Sequence, residues 1–178
     1  IAYNALTILC CAAIFPLTLT KAEQPATPSA PRLRPALAWR ASPLAVAGVL
    51  VAAQSSAAFR MVGPIYGQEV GLQASQIGYF LAAYVAGGAL AQYPVGWLAD
   101  KFDRRWVLIW LSVAAIIACI VTVASAGMGT WAVMAAATFF GLTTFPVYSV
   151  ATAHAHDFIS DEERIELSAA LMFFYAVG

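Results

Sequence analysis

Five charged residues crowd one short stretch: Asp100, Lys101, Asp103, Arg104 and Arg105, inside GWLADKFDRRWVL from Gly96 to Leu108. Carboxylates and guanidiniums at this spacing form charge-assisted hydrogen bonds, and Arg presents a planar fork of donors. Basic residues alone would act as a stop signal at a membrane face. That role explains neither the two aspartates nor the glycine. Asp100 can accept from Arg104 or Arg105, or sit near a helix N-terminus where the dipole favours an anion. Gly96 is expected to let a neighbouring helix come close. Such a cluster can latch two helix ends together and release them.

Arg60 stands apart from the other basic residues, beyond Gln54, Ser55 and Ser56. A charge at the centre of a bilayer costs about 2.5–3.5 kcal/mol on insertion scales, and less near an interface. Arg60 either faces a cavity, as an anion or proton-coupling site, or snorkels to the interface beside Glu69. Gln54, Ser55, Tyr84, Gln92 and Tyr148 are polar positions in apolar runs. They line a cavity or make interhelical hydrogen bonds. His154, His156 and Asp157 invite a metal reading. Side chains at i and i+2 point about 200° apart on a helix, so no metal site is expected there. A helix C-terminus suits these histidines better. Ser160 to Glu163 has capping-box spacing, with acids that favour a helix N-terminus. Cys10, Cys11 and Cys119 lie in apolar runs without ligand spacing and read as small packing residues. No cofactor is implied.

The elements that must position these groups follow from composition. The chain has 178 residues, 62% hydrophobic and 10% charged, with a mean hydropathy of +0.78. Soluble domains are about 45–50% apolar and about 25% charged. Nine basic residues balance nine acidic ones, which excludes a basic nucleic-acid binder. The hydrophobicity excludes a disordered chain and argues against a soluble enzyme. A membrane-embedded enzyme would need a converging acid, base or metal cluster, and apart from Arg60 the apolar runs hold none.

Five runs reach the length of about 20 residues that a helix needs to cross a bilayer. They are Ile1–Thr20, Pro43–Val62, Ala74–Leu98, Trp106–Ala126 and Trp131–Ala153, and a sixth begins near Leu167. Their length and lack of alternation predict helices, not membrane strands. The first run has no basic lead-in or cleavage pattern of a signal peptide. The stretch 21–42 is punctuated by Pro25, Pro28, Pro31 and Pro35, which predicts an extended, solvated linker. The other connections are short, so consecutive antiparallel helices are expected in one bundle. Gly87, Gly88 and Ala91 form a small-residue packing face, and Pro94 and Pro146 are expected to kink their helices. Alternating the spans puts Lys21, Arg32, Arg34, Arg40, Lys101, Arg104, Arg105 and Arg164 on one side, and at most Arg60 on the other. That side is expected to be cytoplasmic. Trp39, Trp97, Trp106 and Trp131 fall near run ends, as in an interfacial aromatic belt.

Gly96-Trp-Leu98-Ala-Asp100-Lys101-Phe102-Asp103-Arg104-Arg105 resembles motif A of the major facilitator superfamily, departing only at Asp103, where the pattern has Gly. VGPIYGQEVGL, GGALAQYPVGWLADKFDRRWVL and TTFPVYSVATAHAHD, in that order, are similar to its YcaD-like branch. The resemblance runs from about Pro43 to the end of the chain. It implies an all-α integral membrane bundle, two six-helix halves around one midplane path, and alternating access. Gly96, Asp100, Lys101, Arg104 and Arg105 would then be conformational residues, and Asp161, Glu162 and Glu163 could meet Arg104 and Arg105. The layout looks like the sixth helix, the central loop and helices seven to eleven of a carboxyl half. With no initiator Met at Ile1, and Gly178 inside an apolar run, the chain is expected to be an internal fragment whose amino half is its partner. The implied function is secondary-active transport of small solutes, with a coupling proton or ion, in a bacterial inner membrane. A non-transporting sensor or assembly factor on the same scaffold is the alternative.

Overall fold

A computed structural model describes residues 33–178, together with Ile8, Cys11, Ala12 and Phe15, which are helical. The rest of the first run, with Cys10, and the linker through position 32, with Lys21 and Arg32, lie outside the described residues. Six helices follow in order: α1 Pro35–Ala41, α2 Pro43–Glu69, α3 Ala74–Lys101, α4 Arg104–Ala124, α5 Thr130–His156 and α6 Arg164–Val177, with a 3₁₀ turn at Asp161–Glu163. No strand occurs among the described residues. α2, α3, α4 and α5 are long and apolar enough to cross a membrane. The all-α membrane bundle is therefore the fold.

Local chemistry sets the boundaries. Pro35 and Pro43 occupy the first turns of α1 and α2, where a missing N–H costs nothing. Ser42 caps α2 by accepting from the Ala45 amide at 3.1 Å. Pro35 thus starts a helix where an extended linker was expected. Ala38 in α1 is fully buried, and Arg34 pairs with Glu166 of α6 at 3.2 Å, so tertiary contacts hold that short helix. Asp103 caps α4, accepting from the Arg105 amide at 2.9 Å. Its φ of −58° needs no glycine, which explains how an Asp stands where the family pattern has Gly. Gly129, at φ +94°, turns the chain into α5 in a conformation that side chains disfavour.

α5 is the centre of the bundle, packing on α2, α3, α4 and α6. The tightest pair is α3 with α5, which are not consecutive and run parallel. Residue n of α3 lies beside residue n+57 of α5: Tyr84 by Gly141, Gly88 by Phe145, Gln92 by Ser149. A Cβ on Gly141 would strike the Tyr84 carbonyl, and one on Gly87 the Thr138 backbone. The small-residue face of α3 therefore serves close packing, met by Gly141 on α5. α4 lies outside this arrangement and leaves Trp110, Ile116 and Ile120 exposed, a surface suited to lipid. α3 and α5 continue through Pro94 and Pro146, and α2 through Pro64.

Candidate functional site: an arginine-bearing cleft and a helix-end latch

Four helices enclose a cleft of about 540 Å³. α2 contributes Ala52, Ser56 and Arg60, spaced four apart and therefore on one stripe. α3 contributes Tyr84 and Gln92, and α5 Thr144, Phe145, Tyr148 and Ser149. α6 adds Met172, Tyr175 and Ala176, while α4 adds nothing. Arg60 stands nine residues before the end of α2 at Glu69, about 14 Å along the axis, so the cleft lies well within the span.

The walls are ordered by aromatic packing. Tyr84 is only 2% exposed, with its ring stacked on Phe59 at 4.0 Å and tilted against Phe145 at 4.9 Å. Tyr148 meets Tyr175 edge-on at 5.0 Å. Ser149 Oγ donates to Gln92 Oε1 at 3.2 Å. Among the described residues Arg60 has no ion-pair partner. Glu69, two and a half turns away, is out of its reach, which removes the pairing considered for a snorkelling Arg60.

The structure thus brings Arg60, Tyr84, Gln92 and Tyr148 to one cleft, and leaves Gln54 and Ser55 out of it. Gln54 is exposed, about 200° around α2 from Ala52. Ser56, Thr144, Ser149 and Tyr175 join the lining without having been expected there. The four-residue step from Arg60 back to Ser56 was the available signal. A larger groove of about 660 Å³ between α3 and α4 is lined by Leu98, Trp106 and Trp110, with Asp103 the one charged residue among the described lining. It lacks the convergent polar groups that orient a solute.

At the other end of the bundle Arg104 joins three helix ends. Its Nη1 donates to Asp157 Oδ1 at 2.5 Å and to the Ala153 carbonyl at 3.1 Å. Its Nη2 donates to Asp100 Oδ1 at 3.2 Å. Ala153 is among the last four residues of α5, whose carbonyls lack helical partners. The partner of Arg104 is therefore Asp157, the C-cap of α5, and not the acids at 161–163. Asp161 pairs with Arg164 at 2.9 Å, and Ser160 Oγ donates weakly to Glu163 at 3.5 Å. The expected capping box does not form, because this segment closes as a 3₁₀ turn without a side-chain cap.

The remaining motif residues point elsewhere. Arg105 is exposed, without an ion pair among the described residues. Lys101 Nζ lies 4.8 Å from the Trp97 ring centre. A Cβ at Gly96 meets nothing within 4 Å, so the close approach expected there does not occur within this bundle. His154 is buried with its ring edge-on to Phe158, and His156 Nε2 lies 3.3 Å from Ser168 Oγ. Among the described residues no three His, Cys, Asp or Glu side chains converge.

Comparison with known proteins bears on this architecture. Residues 44–178 match the Major Facilitator Superfamily. The chain is 30% identical over 175 residues to an "Uncharacterized MFS-type transporter YcaD" of Escherichia fergusonii, covering 97% of this chain and 44% of that protein. It is 31% identical over 170 residues to the protein of the same description from Salmonella heidelberg, covering 94% and 43%. An uncharacterized MFS-type transporter of Enterobacter sp. is 28% identical over 169 residues, covering 94% and 43%. The chain thus spans less than half the length of these curated relatives. No solved structure matches it. With the match covering the four helices that are long enough to span a membrane among the described residues, and the charged turn between α3 and α4, the chain is an integral membrane protein belonging to the Major Facilitator Superfamily.

Proposed function

We propose that this chain supplies one half of a secondary-active transporter of small solutes, working by alternating access. The observation that carries this reading is the polar cleft holding Arg60, Tyr84, Gln92 and Tyr148, deep in a bundle whose outer surface is apolar. Its volume falls in the range of about 300–1,000 Å³ common for small-molecule sites. The relatives, described as MFS-type transporters, support the same class. On this reading a second half of the protein closes the cleft, and this chain corresponds to the carboxyl half. Gly96, Asp100, Lys101, Arg104 and Arg105 lie on the cytoplasmic face of a bacterial plasma membrane, where the Arg104 network stabilises one of two states. A proton or ion couples the cycle from outside this cleft, where no carboxylate lies among the described residues.

The test is flux through the intact protein in proteoliposomes, across anionic, neutral and cationic solutes. Tyr148→Ala and Gln92→Ala are expected to cut flux of a transported solute about tenfold or more with insertion unchanged. Folded protein that moves no solute of any class would overturn transport in favour of a sensor or assembly factor.

A further inference from the structure

We propose that the solute is a small organic anion, bound through its carboxylate or phosphate to Arg60 with an aromatic or apolar body against Tyr148 and Tyr175. This rests on the cleft being the solute path.

The first argument is charge. Among the described residues Arg60 is the only charged one lining the cleft, with no Asp, Glu, Lys or His beside it. Among the described residues no carboxylate pairs with it. When the path closes and water leaves, an unpaired guanidinium at this depth becomes costly, and an anion offsets that cost. The planar fork of donors matches the two oxygens of a carboxylate or phosphate. A cationic solute would meet repulsion with no acid to offset it.

The second argument is shape. Phe59 stacks on Tyr84, which sets the neighbouring Arg60 at the level of Tyr84. Gln92 and Ser149 lie two turns farther along α3 and α5, about 12 Å away. The charged end of the cleft is therefore separated from a neutral hydrogen-bonding end. Tyr148 and Tyr175 stand between helices α5 and α6 as aromatic wall. A solute with one anionic end and an uncharged, largely flat body satisfies both ends.

The experiment uses the intact protein in detergent with three probes of one shape: benzoate, benzamide and benzamidinium. Affinity is read from ligand-dependent thermal stabilisation. Benzoate is expected to bind best, and Arg60→Gln to weaken it about 10- to 100-fold, the effect of losing a hydrogen bond to a charged group. Arg60→Lys should restore part of that loss, and Tyr148→Ala should weaken benzoate without changing its lead over benzamide. If benzamide or benzamidinium binds best and Arg60→Gln leaves it unchanged, the anion assignment falls. If Tyr148→Ala weakens that probe, the cleft stands as a solute site regardless. If no probe binds and Arg60→Gln lowers the unliganded melting temperature, Arg60 is neutralised by an acid elsewhere in the protein, which also overturns the anion assignment. Absence of binding by all probes together with absence of flux overturns the transport reading as well.

Discussion

Arg104 at the start of α4 reaches Asp157 at the end of α5, 53 residues on, at 2.5 Å. The same guanidinium holds Asp100 and the Ala153 carbonyl. Three helix ends are thus tied by one side chain. The pair is not deeply buried: side-chain exposure is 25% for Arg104 and 47% for Asp157. Water therefore screens the attraction, and pairs of this kind contribute about 0.2–1 kcal/mol. A tie this weak is compatible with the proposed role of a latch that opens and closes.

The first prediction concerns that tie. Arg104→Gln and Asp157→Asn should show a coupling of about 0.5–1 kcal/mol in a double-mutant cycle of stability in detergent. Each single variant should shift the balance of transporter states by up to about fivefold, read by thiol labelling at cysteines placed on the two faces. Additive effects would mean that the contact contributes nothing.

Asp103 gives a sharper contrast, because its role is local. Asp103→Ala should cost about 1 kcal/mol through the lost cap. Asp103→Gly should cost only a few tenths, and Asp103→Asn still less. Denaturant titration in detergent ranks the three. A large penalty for Gly would mean that the Asp carboxylate does more here than cap α4.

Two glycines should respond oppositely to one added methyl. At Gly141 the methyl meets the Tyr84 carbonyl, so Gly141→Ala should force α3 and α5 apart and cost about 1–3 kcal/mol. At Gly96 it meets open space, and Gly96→Ala should stabilise α3 by up to about 1 kcal/mol through helix propensity. Stability of both variants decides this. If Gly96→Ala also abolishes flux in a stable protein, the close approach expected at Gly96 is made by another part of the protein.

The sequence carries the spans well, because bilayer thickness sets one length for every run and polarity marks the ends. The beginning of α2 at Pro43 and of α3 at Ala74 coincide with the runs. The crowded turn is legible because Asp100 and Arg104 are only four residues apart across a short turn, so their pairing is local. Asp157 as a partner is not, because nothing within α4 states which helix end packs beside it. The parallel pairing of α3 with α5 is hidden similarly: short loops speak only of consecutive helices, while the fit of Gly141 to Tyr84 joins alternate ones. In α1, prolines conceal a helix because the same residue starts helices and breaks them.

The last prediction separates two glutamines that composition treats alike. Gln54 and Gln92 both interrupt apolar runs, and sequence alone reads both as lining a cavity or making interhelical hydrogen bonds. Helix phase divides them. Ala52, Ser56 and Arg60 point to the cleft, whereas Gln54 shares the outward side with Val51, Met61 and Ile65. Gln92 faces the cleft and accepts from Ser149. Gln92→Ala should therefore lower flux about tenfold or more by removing one hydrogen-bonding end of the path and leaving Ser149 without its acceptor. Gln54→Ala should stay within about twofold, since an outward polar side chain contributes little to a site it does not touch. Initial rates for both variants at matched amounts of inserted protein settle the contrast. Equal losses would mean that Gln54 is drawn into the path when the cleft closes.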